Sequence, residues 1–221
     1  MANIRAEKDP ITLIKAFSIV TRKFPGAHLL LVGAAGDQQY ARAVYDLVTE
    51  LDLFKNISFL GPRDDVDALL KACDIAVMSS ATEGLPMALL EYGLAGLPTV
   101  ATRVGQCAQV LGNGKAGVLV DPRSPEALAQ ALEGLLDSPE RSRALGASFR
   151  AHVASHYSAK AVLSELCKIY DEVVSPRGLP VKPLRRKKQG RQSQQGSADS
   201  RARISSILKL PESVPKVSEP Q

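Results

Sequence analysis

Short apolar runs alternate with longer segments of helical spacing along the chain, and this alternation restricts the fold more than any other feature. The runs are rich in Leu, Ile and Val and are bounded by glycine or polar residues, as is typical of parallel strands buried on both faces. They comprise residues 28–33, 56–61, 74–79, 98–102 and 116–120. Because strands alternate with helices, the pattern predicts an α/β fold with a Rossmann-like, doubly wound parallel sheet.

Segments with apolar residues at helical spacing lie before, between and after these runs. Asp9 and Pro10 predict the start of the first helix, because aspartate caps a helix and proline fits its first position. The predicted helices cover residues 10–23, 38–51, 64–72, 86–96, 125–136, 139–155 and 158–174. The last two follow each other without a strand, so we expect them to wrap back across the sheet or to reach toward a missing neighbour.

The composition changes abruptly after residue 174. Residues 175–221 are rich in Pro, Gln, Ser and Arg, and they hold 11 Lys and Arg against 3 Asp and Glu. Such a segment buries too little apolar surface to fold. We therefore predict a folded domain over residues 1–174 and a disordered basic tail over residues 175–221.

The positive charge of the chain belongs to this tail. The formal net charge is +5, but residues 1–174 hold 17 Lys and Arg against 20 Asp and Glu. The folded part therefore gives no indication of nucleic-acid binding. The run RRKK at 185–188 is interpreted as solvated charge, or as a peripheral contact with anionic lipid headgroups at the inner face of a membrane.

The cysteines and the length of the apolar runs indicate a cytoplasmic protein. Cys73, Cys107 and Cys167 have no spacing typical of a metal site or of a disulfide framework, so we interpret them as reduced thiols. No apolar run approaches the ~18 residues of a membrane span. The first ten residues also lack the apolar stretch of a signal peptide.

Two glutamates, Glu83 and Glu91, lie eight positions apart in an otherwise uncharged run that extends to Val100. The large apolar residues of the segment between Pro86 and Pro98 include Met87, Leu89, Leu90 and Leu94. They leave little room for a solvated face, so we expect both carboxylates to have apolar surroundings. An unpaired buried carboxylate costs several kcal/mol, which favours a partner that donates hydrogen bonds, such as a vicinal diol.

The turn that contains Glu83 is predicted to bind an anion. Glu83 follows the run 74–79, Gly84 lets a ligand approach the backbone closely, and Pro86 begins the next helix. Free N–H groups at a helix start attract phosphate. A nucleotide sugar would supply phosphates for this turn and hydroxyl groups for the two acids.

These residues also have purely structural explanations. Glu83 could cap the following helix, which stabilises by about 0.5–2 kcal/mol without any ligand. Glu91 could be a partly exposed helix residue that pairs with a cation such as Arg103, and Gly84 and Pro86 could simply build a tight turn. From the residues alone, donor binding and these structural explanations both remain open.

Five motifs follow one another along the chain. They are KDP at 8–10, LLLVG at 29–33, EGLP at 83–86 with Glu91 completing an E-x7-E spacing, AGLP at 95–98 and GVLVDP at 117–122. Together they resemble the carboxyl-terminal donor-binding domain of the group 1 retaining glycosyltransferases of GT-B fold. The agreement in order extends from about residue 3 to residue 174, which makes the resemblance specific.

The resemblance implies a set of donor-binding residues. A residue that resembles Glu91 binds the ribose hydroxyls of a nucleoside-diphosphate sugar, and a residue that resembles Glu83 contacts the donor sugar. The resemblance also implies that the backbone of Gly84, Leu85 and Pro86 contacts the phosphates or the sugar. Base recognition is expected near residues 61–63, largely through the backbone.

The resemblance also implies catalysis without a metal or another cofactor. A lysine that matches Lys8 pairs with the diphosphate and stabilises the leaving group. Lys8 and Glu83 are therefore the candidate catalytic residues. No DxD-type metal motif is present, and Asp64 and Asp65 lie at a predicted helix start, where capping is the simpler explanation.

Three features of the sequence depart from the family pattern. Ala2 and Asn3 stand where the family commonly has glycine and arginine, so one phosphate cation is absent. A second family motif, Gly-Gly-x-x-Glu, corresponds to residues 105–109, where Gln109 replaces the glutamate. Only seven residues precede Lys8 to supply the first strand of the domain, which is central in the doubly wound order.

The resemblance covers only one of the two domains between which the family's active site lies. His28, His152 and His156 match no motif of the acceptor-binding domain. We therefore expect a fragment or a split enzyme that transfers a sugar to a glycan or lipid-linked acceptor, with a separate acceptor-domain chain as partner. The alternative is a non-catalytic, degenerate nucleotide-sugar-binding or interaction module.

Overall fold

The computed structural model describes residues 1–174, which form an α/β fold of short parallel strands and covering helices. The strands are β1 (Leu29–Val32), β2 (Ile57–Gly61), β3 (Ala76–Met78), β4 (Thr99–Thr102) and β5 (Val118–Val120). The helices are α1 (Pro10–Lys23), α2 (Gln38–Glu50), α3 (Val66–Lys71), α4 (Met87–Ala95), α5 (Cys107–Val110), α6 (Pro125–Leu136), α7 (Pro139–His156) and α8 (Ala159–Val174).

The predicted elements are confirmed in type and order. Each strand lies inside one of the five apolar runs, and each predicted helix is present with ends that differ by at most two residues. The four-residue helix α5 was not predicted, because one turn is too short to show a helical period. The predicted disordered tail, including the RRKK run, lies outside the described residues.

The parallel strands are divided between two sheets. β1 pairs with β2, and β4 lies between β3 and β5 in the second sheet. Of residues 1–174, only the extended segment 1–4 lies between β1 and β3. The N–H of Ala2 donates to the carbonyl of Val32 at 2.8 Å, and that of Ile4 donates to Ala34 at 2.9 Å. The sequence predicted an incomplete central strand, and this segment forms only the end of it.

Two apolar clusters pack the helices onto the strands. The first joins α1, α2 and α6 around the fully buried residues Ile14 and Leu128. The second joins α4, α5 and α7 around the fully buried residues Leu89 and Phe149. The second cluster fixes α4, which directly follows the Glu83 turn.

Two aspartates at helix starts behave differently. Asp9 caps α1 as predicted, since its carboxylate accepts from the N–H of Thr12 at 3.1 Å and from its hydroxyl at 2.7 Å. Asp65 precedes α3 but makes no capping hydrogen bond. Its carboxylate instead accepts from the guanidinium of Arg63 at 2.7 and 2.8 Å, and this contact lowers the pKa of Asp65. The capping explanation for Asp65 was therefore wrong.

The last helix, α8, buries none of its residues within the described part of the chain. Its apolar side chains are exposed and share one face: Val162, Leu163, Leu166, Ile169, Tyr170, Val173 and Val174. Of the two helices expected to wrap back or to reach toward a missing neighbour, α7 packs against α4 in the second cluster, whereas the apolar face of α8 is not covered within residues 1–174. Among residues 1–174, no helix has both the length and the apolar character needed to cross a membrane.

Candidate functional site

The predicted catalytic pair, Lys8 and Glu83, meets at the carboxyl ends of the strands. The ammonium of Lys8 donates to Oε1 of Glu83 at 2.6 Å, although the two residues are 75 positions apart. The hydroxyl of Ser80 donates to the same oxygen at 2.7 Å. The Glu83 side chain is only 7% exposed, while that of Lys8 is 33% exposed. Both donors hold Oε1, which leaves Oε2 available to a ligand.

Hydrogen bonds from β3 and its neighbours hold this pair in place. The hydroxyl of Ser79 donates to the carbonyl of Lys8 at 3.0 Å, and the N–H of Ala81 donates to the carbonyl of Glu7 at 2.8 Å. From β4, the hydroxyl of Thr102 donates to the carbonyl of Ser80 at 2.6 Å. The single helical turn Ala6–Lys8 is thereby attached to the segment that follows β3, and β4 in turn holds that segment.

The turn over Glu83–Pro86 rests against the loop that follows β4. The N–H of Gln106 donates to the carbonyl of Gly84 at 3.1 Å. Gly105 has a φ of +49°, and a Cβ there would lie 2.1 Å from the carbonyl oxygen of Glu83. Only glycine fits this contact, because the left-handed backbone and the close approach both exclude a side chain.

The predicted donor-binding backbone faces solvent at the start of α4. Gly84 and Leu85 are exposed, while Pro86 is buried and precedes the first residue of the helix, Met87. The prediction that Pro86 begins the helix was therefore one residue early. The N–H of Leu89 donates to the carbonyl of Pro86 at 3.0 Å. The N–H groups of Met87 and Ala88, which have no partner within the helix, are the ones available to an anion.

Glu91 differs from the expectation of apolar surroundings. It lies in the second turn of α4 as predicted, but its side chain is exposed. Met87 and Leu94 are 61% and 58% exposed, so α4 has a solvated face despite its apolar sequence. The expected alternative partner, Arg103, forms no ion pair with Glu91 among the described residues. The argument from burial therefore applies to Glu83 and not to Glu91.

The sequence did not predict the hydroxyl groups that support Glu83, and it placed Gly105 in the second family motif without predicting its contact with the turn. Ser80 and Thr102 contribute hydroxyl groups at the ends of β3 and β4, and Gly105 allows the close contact between loops. The polar run SSATE directly after β3 was the available signal for Ser80. No local signal indicated the contact that Gly105 makes, because its constraint comes from a segment about 20 residues away.

The thiols and possible metal ligands add no further chemistry to this site. All three cysteines are free, and burial raises the pKa of the Cys107 thiol above its ordinary value. Cys107 is fully buried in the second cluster, consistent with its interpretation as a small apolar filler. Residues 1–174 contain no group of three or more His, Cys, Asp or Glu side chains arranged to hold a metal ion.

Replacing Lys8 with methionine should lower the free energy of unfolding by about 1–3 kcal/mol, because the enclosed Glu83 carboxylate loses a charged partner. Urea denaturation measures the change. Lys23→Met is the matched control, since Lys23 pairs with Asp137 at 2.5 Å and both side chains are about half exposed. We expect no measurable change in the control. Equal losses of stability in the two variants would contradict the prediction that the enclosed pair contributes more than the exposed pair.

The family model described as glycosyl transferases group 1 matches residues 1–152. A D-inositol 3-phosphate glycosyltransferase of Corynebacterium urealyticum is 29% identical over 182 residues, which are 80% of this chain and 41% of that protein. An N-acetyl-alpha-D-glucosaminyl L-malate synthase of Bacillus anthracis is 29% identical over 79% of this chain and 45% of that protein. The chain thus spans less than half the length of these curated relatives.

Solved structures are similar to this chain over most of its length. The C-terminal domain of a group 1 family glycosyl transferase from Francisella tularensis superposes with a TM-score of 0.65 and 22% identity, covering 72% of this chain and 84% of that domain. The Anabaena protein HepE in complex with UDP and glucose superposes with a TM-score of 0.69 and 25% identity, over 78% of this chain and 46% of HepE.

Proposed function

Because the chain belongs to the glycosyl transferases group 1 family, as the carboxyl-terminal domain of a GT-B enzyme, we propose that it binds a nucleoside-diphosphate sugar. The site lies at the carboxyl ends of the strands, where ligands of doubly wound sheets bind. The reaction is the transfer of the donor sugar, with retention, to a glycan or lipid-linked acceptor.

One observation carries this proposal. The Glu83 carboxylate is enclosed at the strand ends, and Lys8 and Ser80 hold one of its oxygens directly before the start of α4. Its other oxygen can accept a hydrogen bond from a sugar hydroxyl. Lys8 is exposed enough to turn from Glu83 toward a diphosphate, where its charge stabilises the leaving group.

Glu91 lies one helical turn inside α4 and is accessible to solvent. In the proposed complex its two carboxylate oxygens accept hydrogen bonds from the ribose hydroxyls, while the phosphates contact the backbone of the turn over Gly84–Pro86. The exposed position favours a role in binding, because α4 does not need this carboxylate for packing. Complexes of the similar HepE protein with UDP and UDP-glucose favour a uridine nucleotide as the first donor to test.

Transfer also requires an acceptor-binding domain. We propose that the described domain performs this reaction as part of a longer protein or together with a separate acceptor-domain chain. Co-purification of such a chain, with activity only in the mixture, supports a split enzyme. We also propose catalysis without a metal ion, because the ammonium of Lys8 can supply the positive charge that stabilises the diphosphate leaving group.

A second candidate is a non-catalytic module that keeps the fold without using a donor. One observation favours it: Oε1 of Glu83 accepts from Lys8 and Ser80 without any ligand. A carboxylate satisfied in this way is stable in the absence of a sugar. A stably folded chain that binds none of the tested nucleotides would favour this candidate.

Calorimetry with UDP-glucose, GDP-mannose and ADP-glucose tests the proposal on the 221-residue chain. We expect one of the three to bind, and Glu91→Ala to weaken that binding about 10-fold to 100-fold, because a hydrogen bond to a charged group contributes about 1.5–3 kcal/mol. Glu50→Ala removes another exposed glutamate, at the carboxyl end of α2, and should leave the affinity unchanged. Equal affinity of the Glu91→Ala and unsubstituted chains would exclude the ribose role.

A further inference from the structure

Two histidines lie one helical turn apart at the carboxyl end of α7. His152 and His156 are separated by four positions, and side chains with this spacing lie on the same face of a helix. The centroids of their imidazole rings are 4.2 Å apart, and the ring planes are tilted by 31°. Neither residue belongs to the family motifs or to the candidate donor site, so this pair has a separate role to explain.

A backbone carbonyl orients the ring of His156. Its Nδ1 lies 2.9 Å from the carbonyl oxygen of His152 and 2.8 Å from the hydroxyl oxygen of Ser155. Because a carbonyl oxygen can only accept, Nδ1 carries the proton and donates. The hydroxyl of Ser155 donates to the same carbonyl at 3.0 Å, so its oxygen can also accept from Nδ1. In the neutral ring of His156 the lone pair is therefore on Nε2.

A different segment orients the ring of His152. Its Nε2 lies 3.3 Å from the carbonyl oxygen of Gln109, which belongs to α5. By the same reasoning Nε2 donates, and the lone pair of the neutral ring is on Nδ1. Gly112 has no side chain to cover this edge of the ring, since a Cβ there would already lie 3.5 Å from Nδ1. Each ring thus keeps one nitrogen lone pair.

These two lone pairs meet the requirements of a metal ion. Imidazole binds a metal through an unprotonated nitrogen, and its other N–H is usually held by a carbonyl or a carboxylate. Nδ1 of His152 and Nε2 of His156 have no hydrogen-bond partner among residues 1–174. Two histidines four positions apart on a helix can bind one Zn²⁺, at about 2.0–2.1 Å from each nitrogen. Because His156 is exposed, an ion can reach the pair from solvent.

We propose that His152 and His156 together bind a divalent transition-metal ion that prefers imidazole ligands, such as Zn²⁺ or Ni²⁺. Water completes the coordination, because no third His, Cys, Asp or Glu side chain of residues 1–174 is arranged to join the pair. The ion links two turns of α7, and through His152 it stabilises the contact of α7 with α5. The proposal does not rest on the proposed function, and the ion takes no part in sugar transfer.

Calorimetry with Ni²⁺ on the 221-residue chain tests the proposal. We expect one Ni²⁺ to bind per chain, and His156→Gln to weaken this binding about tenfold or more, because the second imidazole of a pair binds in an intramolecular step. His28→Gln is the matched control and should leave the affinity unchanged, since His28 is exposed and lies beside Ser58 without another histidine. An excess of Mg²⁺ should not compete, because Mg²⁺ prefers oxygen ligands.

Proton NMR of the imidazole rings locates the ion. Paramagnetic Ni²⁺ should broaden the signals of His152 and His156 at lower concentrations than those of His28. Cys167→Ser controls for a thiol site, because Cys167 is a free, exposed cysteine, and this variant should bind Ni²⁺ as the unsubstituted chain does. These measurements need no nucleotide, so their failure is distinguishable from failure of donor binding.

Three results would overturn the proposal. The first is equal Ni²⁺ affinity of the His156→Gln and unsubstituted chains, or no binding at millimolar Ni²⁺. The second is loss of binding in Cys167→Ser, which would assign the ion to the thiol. The third is broadening of all three histidines at the same Ni²⁺ concentration, which would show that each imidazole binds an ion by itself.

Discussion

Replacing Gly105 with alanine should destabilise the domain by about 2–4 kcal/mol and displace the turn over Glu83–Pro86. The new Cβ would lie 2.1 Å from the carbonyl oxygen of Glu83 and 2.8 Å from that of Gly84. These neighbours are backbone atoms, so the turn itself must move. The left-handed backbone adds about 1 kcal/mol, and forced displacement of packed atoms typically costs 1–3 kcal/mol.

Thermal denaturation and donor binding measure the two consequences separately. Donor affinity should fall even at temperatures where the variant is folded, because the carboxylate of Glu83 moves with the turn. Gly134→Ala is the matched control: Gly134 lies inside α6, and a Cβ there would meet no atom within 4 Å. We expect the control to be stabilised by about 0.5–1 kcal/mol. A Gly105→Ala variant as stable as the unsubstituted chain would refute the close contact.

Replacing Phe149 with alanine should lower the free energy of unfolding by about 3–5 kcal/mol, because a fully buried aromatic side chain leaves a cavity. Phe149 extends from α7 into the second apolar cluster beneath α4. A Cβ on Gly93 of α4 would lie 3.2 Å from its ring. The loss of this ring therefore loosens the helix that carries Glu91.

Phe54→Ala is the matched control for Phe149→Ala. The same substitution is made at a side chain that is 55% exposed, so the expected change is within about 0.5 kcal/mol. Urea denaturation of both variants gives the comparison. Losses below 1 kcal/mol for Phe149→Ala would show that the second cluster contributes little to the stability of α4.

The local elements of the fold could be predicted because their signals are local. The strands β1 to β5 each lie within one short apolar run, and the helix start at Asp9 and Pro10 is encoded in two adjacent residues. The start of α3 shows the limit of this reasoning. Asp65 has the residue type of a cap, but Arg63 lies close enough to bind its carboxylate first.

The position of the candidate site could also be predicted in part. Glu83 and the EGLP turn were identified from residue type and spacing, and their location at the end of β3 follows from the strand and helix on either side. The exposure of Glu91 could not be predicted in this way. The sequence of α4 is apolar on nearly every side, and which face is covered depends on where α7 packs.

The sequence by itself determined the order of strands and helices, the acidic turn before α4 and the family resemblance, because periodicity and spaced motifs act over a few residues. Only the tertiary structure decided that Lys8 and Ser80 share one oxygen of Glu83 and that Gly105 supports the turn. These features depend on distances between segments remote in the chain. Such distances are set by how the helices and strands pack together.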